Sequence, residues 1–274
     1  MKHDSNSLRQ LSGIELRLSY QGPPVIEGLT IDLPIGQITV IVGPNGCGKS
    51  TLLRAFARVL IPDDGKVILH GEQIRNMPTR DVARELGLLP QNQRSPDSIV
   101  VKDLIRRGRY PHQRLFDQWS KKDQDAVNKA LEITGLENFS ERPVDELSGG
   151  QRQRVWIAMV LAQDTPIMLL DEPTTHLDMA HQIEILELLN KLSAEEKRTV
   201  VMVLHDINLA ARYAANLVAM RDGSVICSGC PNEIVTSEMV QSVFNVQAVV
   251  ISDPVTDSPL VIPHPRQKPS TQIG

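Results

Sequence analysis

The segment GPNGCGKST, residues 43–51, has the composition and spacing of a cradle for phosphate. A triphosphate is a cluster of anionic oxygens, and backbone N–H groups bind it when the chain comes close. Gly43, Gly46 and Gly48 allow that approach. A helix starting just behind them turns its positive end to the same anion. Lys49 is placed to reach the terminal phosphates and the Ser50 hydroxyl to help hold Mg²⁺. Pro44, Asn45, Cys47 and Thr51 complete the segment. A glycine-rich turn alone is common, so its frame decides. Residues 38–42 form an unbroken apolar run, and residues 50–60 carry apolar side chains at helical spacing. Strand, loop and helix are the frame a nucleotide-binding loop requires.

Other groups suit the same chemistry. The apolar residues 167–170 end in Asp171 and Glu172. An acid at the end of a buried strand can hold Mg²⁺, and its neighbour can orient and deprotonate water. Taken alone, paired acids at a strand end are unremarkable. Gln91 follows an apolar run and can coordinate a metal or orient water; most such residues are simply solvated. His205 ends the apolar run 199–204; a lone histidine there is usually structural, but beside a γ-phosphate it can sense or polarise it. Ser148 and Gln151 fit a capping box at a helix start. Gly149 and Gly150 between them expose N–H groups at the helix's positive end, a second anion site.

The elements that must position these groups alternate between strand and helix patterns. Residues 14–20, 30–35 and 66–71 read as strands, giving an antiparallel β layer beside the phosphate-loop strand and helix. Tyr20 closes the first; from spacing alone it packs on the core. Residues 84–90 read as a further strand. After a polar loop over 91–99, the pattern becomes helical over 101–140, with a short helix and turn over 101–112 and a helix over 120–135. Ser120 is its N-cap and Gly135 its stop. Residues 182–192 read as helix and 199–204 as a buried strand. Residues 217–229 read as a hairpin turning at Asp222-Gly223. A helix over 231–244, a strand-like run over 248–251 and a disordered Pro-rich end over 263–274 follow. Arg106, Arg107, Arg109 and Arg114 form a basic cluster, read as a solvated face, with a docking surface for a membrane partner as the alternative.

With 274 residues and a net charge of −4, the chain has room for a core and a subdomain and no global basic field for nucleic acid. No apolar run reaches a membrane span, and the polar start lacks a signal peptide's apolar centre, so a cytoplasmic protein is expected. Its three cysteines are no disulfide framework; Cys227 and Cys230 read as a strand-end turn rather than a metal or redox pair.

The ordered set GPNGCGKS, Gln91, LSGGQ, IMLLDEP, Asp178 and His205 resembles the ATPase subunit of ATP-binding-cassette (ABC) transporters over residues 14–245. LSGGQ so shortly before Asp171 is highly specific to that family. The resemblance implies an α/β fold: a RecA-like phosphate-loop ATPase core with an antiparallel β layer and an inserted helical subdomain. Residues 12–90 and 164–230 are then the core, 91–163 the Q-loop and helical subdomain, and 231–274 a C-terminal extension. It makes Tyr20 an adenine-stacking ring, reversing the reading from spacing. Residues 43–51 are Walker A, Gln91 the Q-loop, 147–151 the signature, 167–172 Walker B, 174–178 the D-loop and His205 the switch histidine. Glu172, His205 and Gln91 become catalytic, and Ser50, Gln91 and Asp171 the Mg²⁺ set. Segments 108–113, 156–163, 169–189 and 204–214 are similar to bacterial iron-chelate importers of the ferric-siderophore kind, with cobalamin and haem importers as near neighbours. His176 departs from many other members. The implied partners are a second copy, head to tail, permease subunits docking on the helical subdomain, and indirectly an extracytoplasmic solute-binding protein. Nucleic acid is not among them. The place implied is the cytoplasmic face of the bacterial inner membrane. A cassette ATPase outside transport is the rival class.

Overall fold

In a computed structural model the described residues are 11–113, 119–175 and 177–265. Arg114, His176 and the segment 266–274 lie outside them. The chain opens with β1 (Leu11–Leu18), β2 (Ile26–Leu33), β3 (Ile38–Val42), α1 (Lys49–Phe56), β4 (Asp64–Leu69), β5 (Glu72–Gln73), α2 (Thr79–Glu85) and β6 (Leu86–Leu89). Next come α3 (Val101–Arg106), α4 (Lys121–Ile133), α5 (Gly149–Gln163), β7 (Ile167–Asp171), α6 (Met179–Glu196), β8 (Thr199–Val203) and α7 (Ile207–Tyr213). The last are β9 (Asn216–Arg221), β10 (Ser224–Gly229), α8 (Pro231–Ile234), α9 (Ser237–Phe244), β11 (Ala248–Ser252) and β12 (Pro259–Pro263).

Strands β3, β7 and β8 are apolar on both faces, and all three are buried throughout. Such strands belong inside a parallel sheet covered on both sides. They form the centre of a six-stranded sheet ordered β10-β9-β3-β8-β7-β6, parallel apart from β10. Alternate residues feed two cores. Ile41, Leu169, Val203 and Met220 face α1 and the antiparallel sheet β2-β1-β4-β5. Val40, Val42, Leu170 and Met202 face the helices α3 to α7. The register aligns Ile41 with Val203 and Val203 with Asp171. Every carboxyl end that carries a candidate group therefore opens at one edge, where ligands of such sheets bind.

Several boundaries differ from the sequence expectation. β1 begins at Leu11 and ends at Leu18, leaving Tyr20 beyond it, and β2 runs from Ile26 rather than 30. Helix α1 stops at Phe56 because Arg58 takes a left-handed φ of 57° and the following N–H groups fold back on Arg54 and Ala55. Residues 84 and 85 belong to α2, a seven-residue helix that buries only Val82, too little for a periodic signal. The helix expected over 231–244 is two, because Thr236 caps α9 with its side chain. β12 pairs with β11 in a stretch given no element from the sequence, its last residue at the start of the Pro-rich end. A proline at each end hid it, and it survives as an edge strand.

The basic cluster is corrected at Arg109, which is 1 % exposed. Its guanidinium donates to Asp123 Oδ1 at 2.9 Å and to the Ala162 carbonyl at 2.8 Å. Asp123 also closes the Ser120 capping box of α4, so one buried carboxylate holds both α4 and the Arg109 turn. Arg106 pairs with Asp103 and lies over the Trp119 ring, 4.9 Å from its centroid. Cys227 lies in β10 and Cys230 caps α8; both thiols are free.

Candidate nucleotide-hydrolysis site

The loop between β3 and α1 is built from the hairpin behind it. A Cβ on Gly43 would stand 2.1 Å from the Met220 carbonyl oxygen, so β9 leaves room for glycine alone. At the β9–β10 turn, Asp222 and Gly223 have φ of 48° and 76°, as a two-residue hairpin demands. The Gly223 N–H donates to the Cys47 carbonyl at 3.1 Å, so the turn grips the loop. Gly48 has φ 103° and is the N-cap of α1, a position other residues fill only with strain. Cys47 is buried under the loop, and burial pushes its thiol pKa up.

Lys49 is 5 % exposed, its ammonium donating to the carbonyls of Gly43 and Pro44 at 2.9 and 2.8 Å. Two of its three N–H bonds shape the loop and one remains for an anion. Ser50 Oγ donates to Asp171 Oδ1 at 2.8 Å, joining the helix start to the end of β7. Burial raises the Asp171 pKa, Glu172 adds to that, and the Ser50 bond opposes it. A buried carboxylate destabilised as an anion, beside a hydroxyl, is a donor set a hard divalent cation stabilises, so these residues fit Mg²⁺.

Glu172 has the left-handed φ of 55°. A glutamate held there costs on the order of 1–3 kcal/mol, strain of a kind that gathers at functional sites. The strained turn aims its carboxylate, whose side chain is 8 % exposed, at two donors. His205 Nε2 lies 2.7 Å from Oε1 and Thr175 Oγ1 donates to Oε2 at 3.0 Å. Burial pushes the Glu172 pKa up, yet the bonds from His205 and Thr175 outweigh it and hold it below the ordinary value. Two adjacent acids thus have opposite tendencies: Asp171 resists ionisation and Glu172 is ionised with lone pairs to spare.

Asn45, Gly46, Gly48, Lys49, Ser50, Thr51, Gln91, Glu172 and His205 line one open cavity of about 440 Å³, together with Thr175. Gly43, Cys47 and Asp171 lie beneath it in the buried layer. A neighbouring opening of about 520 Å³ shares Gln91, Glu172 and Thr175 and continues to Gly149 and Arg152. Ser148 and Gln151 line neither; they form a capping box at the exposed start of α5. Tyr20 is 45 % exposed and its hydroxyl accepts from Arg54 on α1 at 3.1 Å. The sequence reading missed Thr175, Arg54 and the grip of the β9–β10 turn. Thr175 left one faint signal, a hydroxyl three residues after an acid.

A phosphate cradle at the mouth of a parallel sheet, a buried acid tied to its serine and a second acid with free lone pairs define a phosphate-loop ATPase. Residues 26–175 match the model of the ABC transporter family. The chain belongs to that family, whose ATP-binding subunits hydrolyse ATP. It is 51 % identical over 267 residues to the "Ferric enterobactin transport ATP-binding protein FepC" of Escherichia coli (strain K12), covering 97 % of this chain and 98 % of that one. It is 53 % identical to the "Probable siderophore transport system ATP-binding protein YusV" of Bacillus subtilis (strain 168), over 92 % of this chain and 91 % of the relative. A dimeric ATP-binding cassette, MJ0796, solved in a post-hydrolysis state with ADP and Pi, superposes with a TM-score of 0.71 at 26 % identity, covering 80 % of this chain and 98 % of that one. Among the described residues no helix is long and apolar enough to cross a membrane.

Proposed function

We propose that this chain is the ATP-hydrolysing subunit of a bacterial importer for a ferric siderophore. The observation that carries the chemistry is the Glu172 carboxylate, set by a left-handed backbone at the cavity wall between His205 and Thr175 with its side chain 8 % exposed. The near full-length likeness to ATP-binding proteins named for siderophore transport supports the cargo.

The loop's N–H groups and Lys49 hold the β- and γ-phosphates, and Tyr20, tethered through Arg54 to the same helix, stacks on the adenine. Glu172 takes the proton of the attacking water as its oxygen bonds to the γ-phosphorus, and the bond to the bridging oxygen breaks so that ADP leaves. His205 contacts that phosphate and keeps Glu172 oriented. Ser50, Asp171 and Gln91 would hold Mg²⁺, which neutralises charge on the phosphates when bound. Two copies work head to tail. Ser148, Gln151 and the backbone of Gly149 and Gly150 of a second copy close over the nucleotide, where the exposed positive end of α5 completes charge stabilisation. The dimeric state of the MJ0796 cassette supports the pairing of two copies.

Residues 12–90 and 164–230 act as the nucleotide-binding core. Residues 91–163 form the helical part that docks on permease subunits, and 231–274 an extension. Closure of the pair moves the permease halves; it can do so only because nucleotide binds the closed state more tightly. The cargo arrives through an extracytoplasmic solute-binding protein, and the chain sits at the cytoplasmic face of the inner membrane. Uptake of radiolabelled ferric enterobactin and ferric hydroxamates in a strain lacking this chain tests the reading. Loss of ferric-siderophore uptake, restored by the chain but not by Glu172→Gln, is expected. Intact siderophore uptake with loss of cobalamin or haem uptake would reassign the cargo.

A further inference from the structure

Helix α5 begins at Gly149 and helix α6 at Met179, and a side chain of the second lies against the first turn of the other. The imidazole of His181 covers Gly150: a Cβ built on Gly150 would stand 3.2 Å from both Cγ and Cδ2 of the ring. The ring's other edge is fixed. Nδ1 lies 2.7 Å from Oδ1 of Asp178, the N-cap of α6, which also accepts the His181 backbone N–H at 3.0 Å. The Asp178 carboxyl is held below its ordinary range, first by that backbone bond and then by the ring. An ionised carboxylate only accepts, so Nδ1 carries the proton and the ring has one orientation. The backbone N–H alone would cap the helix. What the ring adds is contact with Gly150, and no step of the reaction described above uses it.

We infer that His181 is a positioning residue for the nucleotide-sandwiching face. It fixes where Gly150, and with it the positive end of α5, stands relative to Asp178, so that the surface a second copy meets is assembled before it arrives. Phosphate recognition by Ser148 and two backbone N–H groups tolerates displacements of only about 0.5 Å. A rigid ring wedged between the two helix starts supplies that precision. Glycine at 150 suits the wedge, since a side chain there would press on the ring. The inference rests on the head-to-tail reading above.

The Glu172→Gln chain separates the two ideas, because it holds ATP without turning it over. Its dimerisation with Mg-ATP is followed by light scattering, and monomer affinity by ADP titration. Glu172→Gln alone should dimerise; failure to do so overturns the head-to-tail reading itself. Adding His181→Ala should raise the ATP concentration for half-dimerisation at least tenfold, with ADP affinity unchanged within twofold. A shift under tenfold, or a parallel loss of ADP affinity, overturns the positioning role. His181→Asn offers Asp178 an N–H but no ring, and should behave as His181→Ala. Recovery by Asn would assign the effect to helix capping and overturn the inference.

Discussion

Replacing Glu172 by Gln removes a base while leaving its shape. The wild-type carboxylate accepts from His205 Nε2 at 2.7 Å and from Thr175 Oγ1 at 3.0 Å. The amide oxygen can keep one of these bonds; the NH₂ group then faces the other donor. Losing one such bond costs about 1 kcal/mol, which lowers the melting temperature by about 2–4 °C for a chain of this size. The rate effect is larger. A positioned general base contributes roughly 10²–10⁴-fold, or about 3–5 kcal/mol of barrier at 1.36 kcal/mol per decade. The expected variant therefore melts nearly as the wild type, binds ATP within about threefold, and hydrolyses it about a thousandfold more slowly. Single-turnover phosphate release gives the rate, a fluorescent nucleotide the affinity, and thermal denaturation the fold. Hydrolysis within about tenfold of wild type would refute the base assignment, since a positioned general base typically contributes about a hundredfold or more.

Because donors hold Glu172 below its ordinary carboxylate value of 4.5, against the opposing effect of burial, the base stays ionised as pH falls past that value. The stability those bonds add is present above the unfolded pKa and lost as pH falls through the depressed one. The acid limb of initial ATPase rates should move to higher pH in His205→Ala; an unmoved limb contradicts the clamp. Arg109→Met strands the buried Asp123 and should cost about 3 kcal/mol, the low end for a broken buried pair because Ser120 still donates to it. Arg106→Met, at the surface, should cost about 1 kcal/mol or less in the same urea titration; equal losses would refute the distinction. Iodoacetamide should label exposed Cys230 first and spare Cys47, which is 4 % exposed with its thiol pKa raised by burial. Mass spectrometry showing prompt Cys47 labelling in native protein would place that thiol outside the core.

What was legible in the sequence follows the range over which each cause acts. The β3–loop–α1 frame and the caps Ser120 and Ser148 are local, set within a few residues, and their signals stand in the chain. Arg109 was misread because its partners lie 14 and 53 residues away. A run of arginines looks the same whether one of them faces water or a buried aspartate. The strained turn at Glu172 is likewise silent in sequence, since glutamate announces no left-handed preference. β12 has strand residues but prolines at both ends, and only its pairing with β11 makes it a strand. Sheet order, and so the meeting of Ser50 with Asp171 across 121 residues, is a property of the whole chain.

Helix α5 is held at its last turn as well as by the His181 ring at its first. At Gln163 the side chain donates to the carbonyls of Ala83 and Leu86, and His112 Nε2 meets the backbone carbonyl at 2.7 Å. Gly108 presses so near the Met159 carbonyl that a Cβ would come within 2.2 Å. From that anchor the 15 residues of the helix reach about 22 Å to Ser148. The helix is a beam held at both ends, and its second support stands far from the nucleotide. Each degree of tilt at Gln163 carries the tip about 0.4 Å at that length. One or two degrees of slack, set by side chains that never see ATP, would decide whether the tip meets a phosphate or misses it.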